Sequence, residues 1–316
     1  MKHTFAAFGA ALLLVPALAF AQAGDEHEGH DHGAMTAPAP AAAPAAAATP
    51  AAAPAIARDP NLPADEAGAK GVLESSPRHG EFEDIAVPGS DVPLRAWVVY
   101  PERRDKAPVV IVIHEIFGLT DWIRGVTDQL AKEGFIAVAP DLLSGLGPNG
   151  GGTESLAGRD EAVKLVRSLK PDTTQARLAL VRRWASALPA ANGRCASVGF
   201  CWGGSTSFGF AVSQPTLDGA VVYYGTSPDS ASLQRLAPPV LGLYGEDDAR
   251  VVATVEPAKR VLAARQQPFE THLYAGAGHG FLRQQGERAG ANLAASQQAW
   301  KRTVEFLREK TKDKRR

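Results

Sequence analysis

Residues 199–204 of the 316-residue chain read Gly-Phe-Cys-Trp-Gly-Gly and follow the apolar run Ala196-Ser197-Val198. A strand, a sharp turn and a helix opened by glycines form the elbow that lifts one nucleophilic side chain above the end of a sheet. Here that side chain is the Cys201 thiol. At a helix N-terminus the thiolate, its reactive form, is favoured. A thiol nucleophile needs a base to take its proton and an acid to orient that base. In elbows of this type both follow the nucleophile along the chain, acid before histidine. Two glycine-flanked segments downstream carry such residues at strand ends: Gly245-Glu246-Asp247-Asp248 and Gly276-Ala277-Gly278-His279-Gly280-Phe281. His114, at the end of another apolar run, is the rival base.

The pattern around these residues predicts the elements that position them. Phe82–Pro88 and Leu94–Tyr100 alternate like two antiparallel strands joined through Gly89-Ser90-Asp91. Val109–His114 is continuously apolar, as suits a strand buried on both faces of a mainly parallel sheet. Further strands are predicted at Phe135–Ala139, Cys195–Val198, Ala220–Tyr224, Val240–Tyr244 and Phe269–Tyr274. Helices are predicted at 121–133, 161–169, 173–188, 203–212, 255–265 and 289–310. Strands alternating with helices imply an α/β fold: a mainly parallel, doubly wound sheet with helices on both faces, in a single domain over residues 81–312.

The rest of the chain divides by composition. Met1-Lys2-His3, the apolar stretch Phe5–Phe20 and Ala21-Gln22-Ala23 make residues 1–23 a secretory signal peptide. Cleavage is expected after Ala23, with export to a periplasm or the exterior. The stretch is shorter than the ~20 residues of a membrane span, and Pro16 interrupts it, which disfavours an uncleaved anchor. No later segment is long and apolar enough to span a bilayer. Residues 24–57 are a tail carrying His27, His30 and His32 among acidic residues, followed by an Ala/Pro-rich linker. The histidines are of metal-ligand type, but their spacing enforces no geometry, and a solvated polar tail is the favoured reading. Residues 58–80 are polar and mixed, and carry no assignable pattern.

The formal net charge is −1, and loss of Lys2 with the signal makes it one unit more negative. This balance gives no electrostatic case for nucleic acid, and no membrane contact is expected after signal cleavage. The two cysteines, Cys195 and Cys201, would stand about 20 Å apart at ~3.3 Å per strand residue, too far for a disulfide. Cys195 reads as a core residue and Cys201 as a free thiol. The glycine-rich stretch 145–152 lacks the Gly-Lys-Ser/Thr ending of a phosphate loop and reads as a mobile loop at the cleft mouth.

Taken in order, His114-Glu115-Ile116-Phe117-Gly118, Pro140-Asp141-Leu142, Gly199-Phe200-Cys201-Trp202-Gly203-Gly204, Tyr223-Tyr224-Gly225, Gly245-Glu246-Asp247-Asp248 and Gly278-His279-Gly280-Phe281 resemble the dienelactone hydrolase family over residues 81–310. The resemblance implies an α/β-hydrolase fold and a Cys-His-Asp triad. Cys201 would be nucleophile, His279 base and Asp248 acid, with Asp247 as the fallback. It implies that Glu115 contacts the resting thiol and takes part in its activation. The backbone N–H groups of Ile116 and Trp202 would form the oxyanion hole. Arg283, four residues after His279, would hold a substrate carboxylate, a task that suits the guanidinium fork. Tyr223 would line the site. A second carboxylate-binding arginine is expected upstream, with Arg159 as candidate.

The expected activity is hydrolysis of small carboxylic esters or lactones through an acyl-cysteine, with no metal or organic cofactor required and a monomer as the favoured unit. The alternatives are a periplasmic metal-handling or binding protein on the same scaffold, motivated by the histidine-rich tail, and a thioesterase or peptidase-type hydrolase.

Overall fold

A computed structural model describes residues 59–312. The signal peptide, the histidine-bearing tail and the linker expected from the sequence lie outside the described residues. The described chain opens with a short helix, Ala69–Glu74 (α1), inside the stretch that carried no sequence pattern. Gly80–Ile85 (β1) and Leu94–Val99 (β2) follow as an antiparallel pair. The Phe82 and Trp97 rings meet edge to face across it, 4.9 Å apart, a geometry that aromatic pairs favour.

Next come Ala107–Ile113 (β3), Asp121–Lys132 (α2), Ile136–Pro140 (β4), Arg159–Ser168 (α3), Pro171–Ser186 (α4) and Ala191–Phe200 (β5). The chain continues through Trp202–Ser213 (α5), Gly219–Tyr223 (β6), Ser230–Leu233 (α6), Val240–Gly245 (β7), Ala249–Val252 (α7), Val255–Ala264 (α8), Phe269–Tyr274 (β8) and Ala291–Lys310 (α9). The eight strands form one sheet in the order β1-β2-β4-β3-β5-β6-β7-β8. β2 runs antiparallel to β4, and every pairing from β4 through β8 is parallel.

The apolar runs are continuous because both faces of the sheet are covered. Along β3, Val109, Ile111 and Ile113 join a core beneath α4, α5 and α8 with Leu178, Val181, Phe208 and Leu262. Val110 and Val112, on the opposite face, pack with Trp122, Val126 and Leu130 of α2 and Trp300 and Phe306 of α9. Helix α2 starts at Thr120, whose hydroxyl accepts the Ile123 N–H, the usual N-cap bond.

The order of the strands places the site. β3 is followed in the chain by β4 on one side, and β5 lies on its other side. In such sheets the crevice beyond the C-terminal strand ends, where the order reverses, is the favoured place for a ligand. Ile113 of β3 stands in register with Gly199 of β5. Glu115 and Cys201, each two residues further on, therefore leave the sheet side by side.

Residues 59–78 are fastened to this unit. Lys132 Nζ donates to the Pro60 carbonyl (2.8 Å), Gln285 Nε2 to the Pro63 carbonyl (2.9 Å), and the Glu66 N–H to the Arg283 carbonyl (3.0 Å). Arg78 pairs with the buried Asp128 of α2, whose Oδ1 also accepts the Ser76 hydroxyl at 2.6 Å. Among the described residues, no helix is long and apolar enough to cross a membrane.

Candidate active site

Cys201 has φ 55° and ψ −118°, a conformation that a non-glycine residue adopts only when its surroundings hold it there. The neighbouring glycines make room for the turn. A Cβ on Gly199 would lie 1.9 Å from the Gly203 carbonyl oxygen, and one on Gly203 would lie 2.3 Å from those of Ile113 and His114. The Cys201 N–H donates to the Tyr223 carbonyl (3.1 Å), and its own carbonyl accepts the first helical bond, from Ser205 (3.1 Å). The half-exposed sulfur thus sits at the N-terminus of α5.

The loop after β8 brings His279 over that sulfur. Its Nε2 lies 3.0 Å from Cys201 Sγ, and its Nδ1 lies 2.6 Å from Asp248 Oδ2. Gly276 and Gly280 have φ 67° and 75°, a region open to glycine at no steric cost. The Asn292 side chain accepts the Gly278 N–H at 3.1 Å and fixes the loop against α9. Asp248 is buried after β7, whereas Asp247 turns to the surface and pairs with Arg288. Of the two adjacent carboxylates, only Asp248 reaches the imidazole. Burial alone would lower the pKa of His279. The hydrogen bonds to Asp248 and Cys201 and their negative charges outweigh burial and lift it to about 9.

Glu115 is buried beside this pair, and burial pushes its carboxyl upward, opposed by the charges of Arg283 and then His279. Arg283 Nε stands 2.8 Å from Glu115 Oε2, an ion-pair distance, although its N–H is not aligned for a hydrogen bond. Among the described residues no hydrogen bond joins Glu115 to the thiol, and its charged partner is Arg283. Trp202 is the first residue of α5, so its N–H has no acceptor within the helix. The backbone bonds of the β3–α2 loop run from Gly118 to Glu115 and from Thr120 to Gly118; neither uses the Ile116 N–H.

His114 stands apart from the chemistry. It is fully buried, its Nδ1 lies 2.6 Å from the Glu115 carbonyl, and its Nε2 accepts the Leu142 N–H at 3.3 Å. These bonds place its proton on Nδ1, and burial lowers its pKa. Its ring stacks on Trp202 at 5.5 Å and supports the elbow from below.

Tyr223 does not line the cleft. Its ring is buried on the α9 side of the sheet, and its hydroxyl lies 2.7 Å from that of Thr303. The neighbouring Tyr224 faces the site instead. At φ 39° its ring comes within 5.2 Å of the His279 ring, and its buried hydroxyl has no hydrogen-bond partner. The glycine-rich stretch 145–152 closes on itself, the Gly145 and Gly147 N–H groups both donating to the Gly151 carbonyl, and runs into Thr153, which is bonded to its surroundings. Asp141 Oδ2 accepts the Thr153 N–H at 2.6 Å, and the Thr153 hydroxyl donates to Asp141 Oδ1 at 2.8 Å and accepts the Leu119 N–H at 2.9 Å.

Arg283 and Arg159 converge, as the sequence reading of a paired-arginine site anticipates, but a carboxylate already lies between them. It is Glu66, which pairs with both. Both guanidinium groups also lie over the Phe117 ring, at 5.4 and 4.8 Å. Glu66 was not legible as a site residue, because its partner Arg283 is 217 positions away. Among the described residues no group of three or more His, Cys, Asp or Glu side chains is placed to hold a metal ion.

Similarity to known proteins agrees with this geometry. Salmonella typhimurium has a relative named "Putative carboxymethylenebutenolidase", 34% identical over 233 residues that span 69% of this chain and 83% of the relative. An Escherichia coli relative of the same name is 32% identical over 242 residues, 72% of this chain and 86% of its own. The crystal structure titled "Putative Dienelactone Hydrolase" from Klebsiella pneumoniae superposes with a TM-score of 0.64 at 30% identity, covering 73% of this chain and 98% of that one. The sequence signature of the dienelactone hydrolase family matches residues 94–311, from the first residue of β2 to just past α9. Elbow, histidine loop and paired-arginine residues other than Glu66 all fall inside that match, and the chain belongs to the dienelactone hydrolase family.

Proposed function

We propose that the chain is an exported hydrolase of carboxylic esters or lactones that works through an acyl-cysteine. One observation carries the mechanism: a strained cysteine 3.0 Å from an imidazole whose other nitrogen is 2.6 Å from a buried aspartate. The raised pKa of His279 favours an imidazolium beside the Cys201 sulfur at neutral pH. The family match and the relatives' names support the ester or lactone class.

In the first half-reaction the Cys201 sulfur attacks the carbonyl carbon. A C–S bond forms and the carbonyl π pair moves to oxygen, where the Ile116 and Trp202 N–H groups hold the charge. Each such donor is worth ~10²–10³ in rate. Collapse restores the carbonyl and breaks the C–O bond, and the leaving alkoxide takes the proton from His279 Nε2. In the second half-reaction His279 accepts a proton from water, and the hydroxide attacks the thioester. The acid leaves and the imidazolium–thiolate pair is regenerated. Asp248 holds the imidazole in the tautomer both halves need. Glu115 and Arg283 form a buried charged pair at the edge of the reacting region.

The leader supports export: a charged start, a short apolar core and Ala21-Gln22-Ala23. Cleavage after Ala23 would release the chain into a periplasm or the medium. The decisive experiment is turnover of small lactones and activated aryl esters by the mature chain and by Cys201→Ala, with intact-mass detection of the acyl-enzyme. Loss of turnover and of the acyl adduct in the variant is expected. Unchanged turnover would remove Cys201 from the reaction.

A further inference from the structure

Glu66 lies in a segment that precedes both β1 and the part of the chain matching the family, yet it reaches into the site. Its two carboxylate oxygens are divided between two cations, Oε1 to Arg159 and Oε2 to Arg283. Its backbone is fixed there as well, by the bond from its N–H to the Arg283 carbonyl and by the Gln285 bond to Pro63. Arg283 is only 13% exposed at its side chain and simultaneously faces the buried Glu115. Two guanidinium groups stacked on the Phe117 ring and converging on one carboxylate make an anion cradle, since a guanidinium fork matches a carboxylate edge. The cradle stands at the mouth of the thiol–imidazole pair, because Arg283 closes the turn that begins at Gly280, next to His279. It is filled from within the chain. With Glu66 and Glu115 in place, the two positive charges are balanced before any substrate arrives.

The geometry points to Glu66 as a specificity-determining residue: an internal carboxylate that occupies the Arg159–Arg283 cradle and turns the site toward uncharged esters and lactones and away from substrates bearing a carboxylate. This rests on the hydrolase reading above. A substrate carboxylate entering the cradle has to displace Glu66 or lie beside it, and like charges at contact distance oppose each other. A neutral acyl group meets neither cost.

The test compares two aryl esters of equal chain length, p-nitrophenyl valerate and mono-p-nitrophenyl glutarate, whose acyl ends are a methyl and a carboxylate. The readout is the ratio of kcat/KM for the anionic ester over the neutral one, in which any general loss of activity cancels. The wild-type chain should favour valerate. Glu66→Gln should raise the ratio about tenfold or more, a change of ~1.4 kcal/mol in relative barrier. Glu66→Asp, which keeps the charge, should leave the ratio low. Adding Arg159→Gln to Glu66→Gln should cancel the gain. Arg159→Gln alone, which leaves the cradle with excess negative charge, should lower the ratio several-fold and gives an answer even if Glu66→Gln folds poorly. A ratio unmoved by Glu66→Gln and by Arg159→Gln, or a wild-type preference for the glutarate, overturns the proposal alone. Absence of turnover of both esters by the wild-type chain overturns the hydrolase reading beneath it and the proposal together.

Discussion

One cysteine lies in the middle of β5 and the other just past its tip, and the two differ in every respect that matters for a thiol. Cys195, mid-strand, is buried in the sheet in an ordinary strand conformation, and burial pushes its thiol up to about 12. Cys201, just past the tip, is half-exposed, held at positive φ, placed at a helix N-terminus and 3.0 Å from an imidazole. Six positions along the chain separate a sulfur that packs from a sulfur placed to react. Burial within the sheet makes a thiol inert, whereas the end of the sheet leaves it open and within reach of groups that stabilise its charged form. Both thiols are free.

The contrast is broken most severely at the tip. Cys201→Ala should lower kcat for an activated ester by ~10⁴-fold or more while shifting Tm little; an active variant would dissolve the distinction between the two sulfurs. Asp248→Asn should cost ~10³–10⁴-fold in kcat by disturbing the imidazole's tautomer. Asp247→Asn, whose side chain faces Arg288 at the surface, should stay within a few-fold, so equal losses in steady-state assays of the two would reassign the acid. Within the strand the effect should be on stability alone. Cys195→Ser buries a hydroxyl where a thiol packed, and should cost about 1–3 kcal/mol in denaturant unfolding with kcat retained.

The smallest effect is linked to pH. The folded pKa of His279, about 9, lies above its ordinary 6.5, so the protonated ring favours the folded state. That contribution is complete below about 6.5 and is lost as pH rises through about 9. The Tm difference between wild type and His279→Gln should therefore be larger at pH 6 than at pH 9.5. A difference that does not change with pH would remove the linkage.

Much of this arrangement can be read from local pattern. The apolar run of β3 announces a strand covered on both faces, and the glycines around Cys201 announce a turn with no room for a Cβ. The two adjacent acids at 247 and 248 could be ranked only through the family resemblance, and Asp248 is the one within reach of the ring. Three features were less legible. β5 begins at Ala191, four residues before its apolar run, because Asn192–Arg194 are only partly buried and Gly193 sits at φ 83° where the pairing with β3 slips by two residues. Tyr223 and Tyr224 are adjacent, and a period-two pattern sends neighbours to opposite faces. Choosing between them needs the positive φ at which Tyr224 leaves the strand. Glu66 lies in a short polar stretch without period, and its two partners come from α3 and the loop before α9. Only the folded chain brings those charges together.

The fastening of residues 59–66 to the histidine loop has a consequence for how such enzymes diverge. The family match begins at residue 94, so a side chain that tunes which molecules are accepted lies ahead of the part of the chain that matches the family. Substrate preference could then be retuned by rewriting a few residues within 59–66, leaving the reacting sulfur, its imidazole and the sheet beneath them untouched.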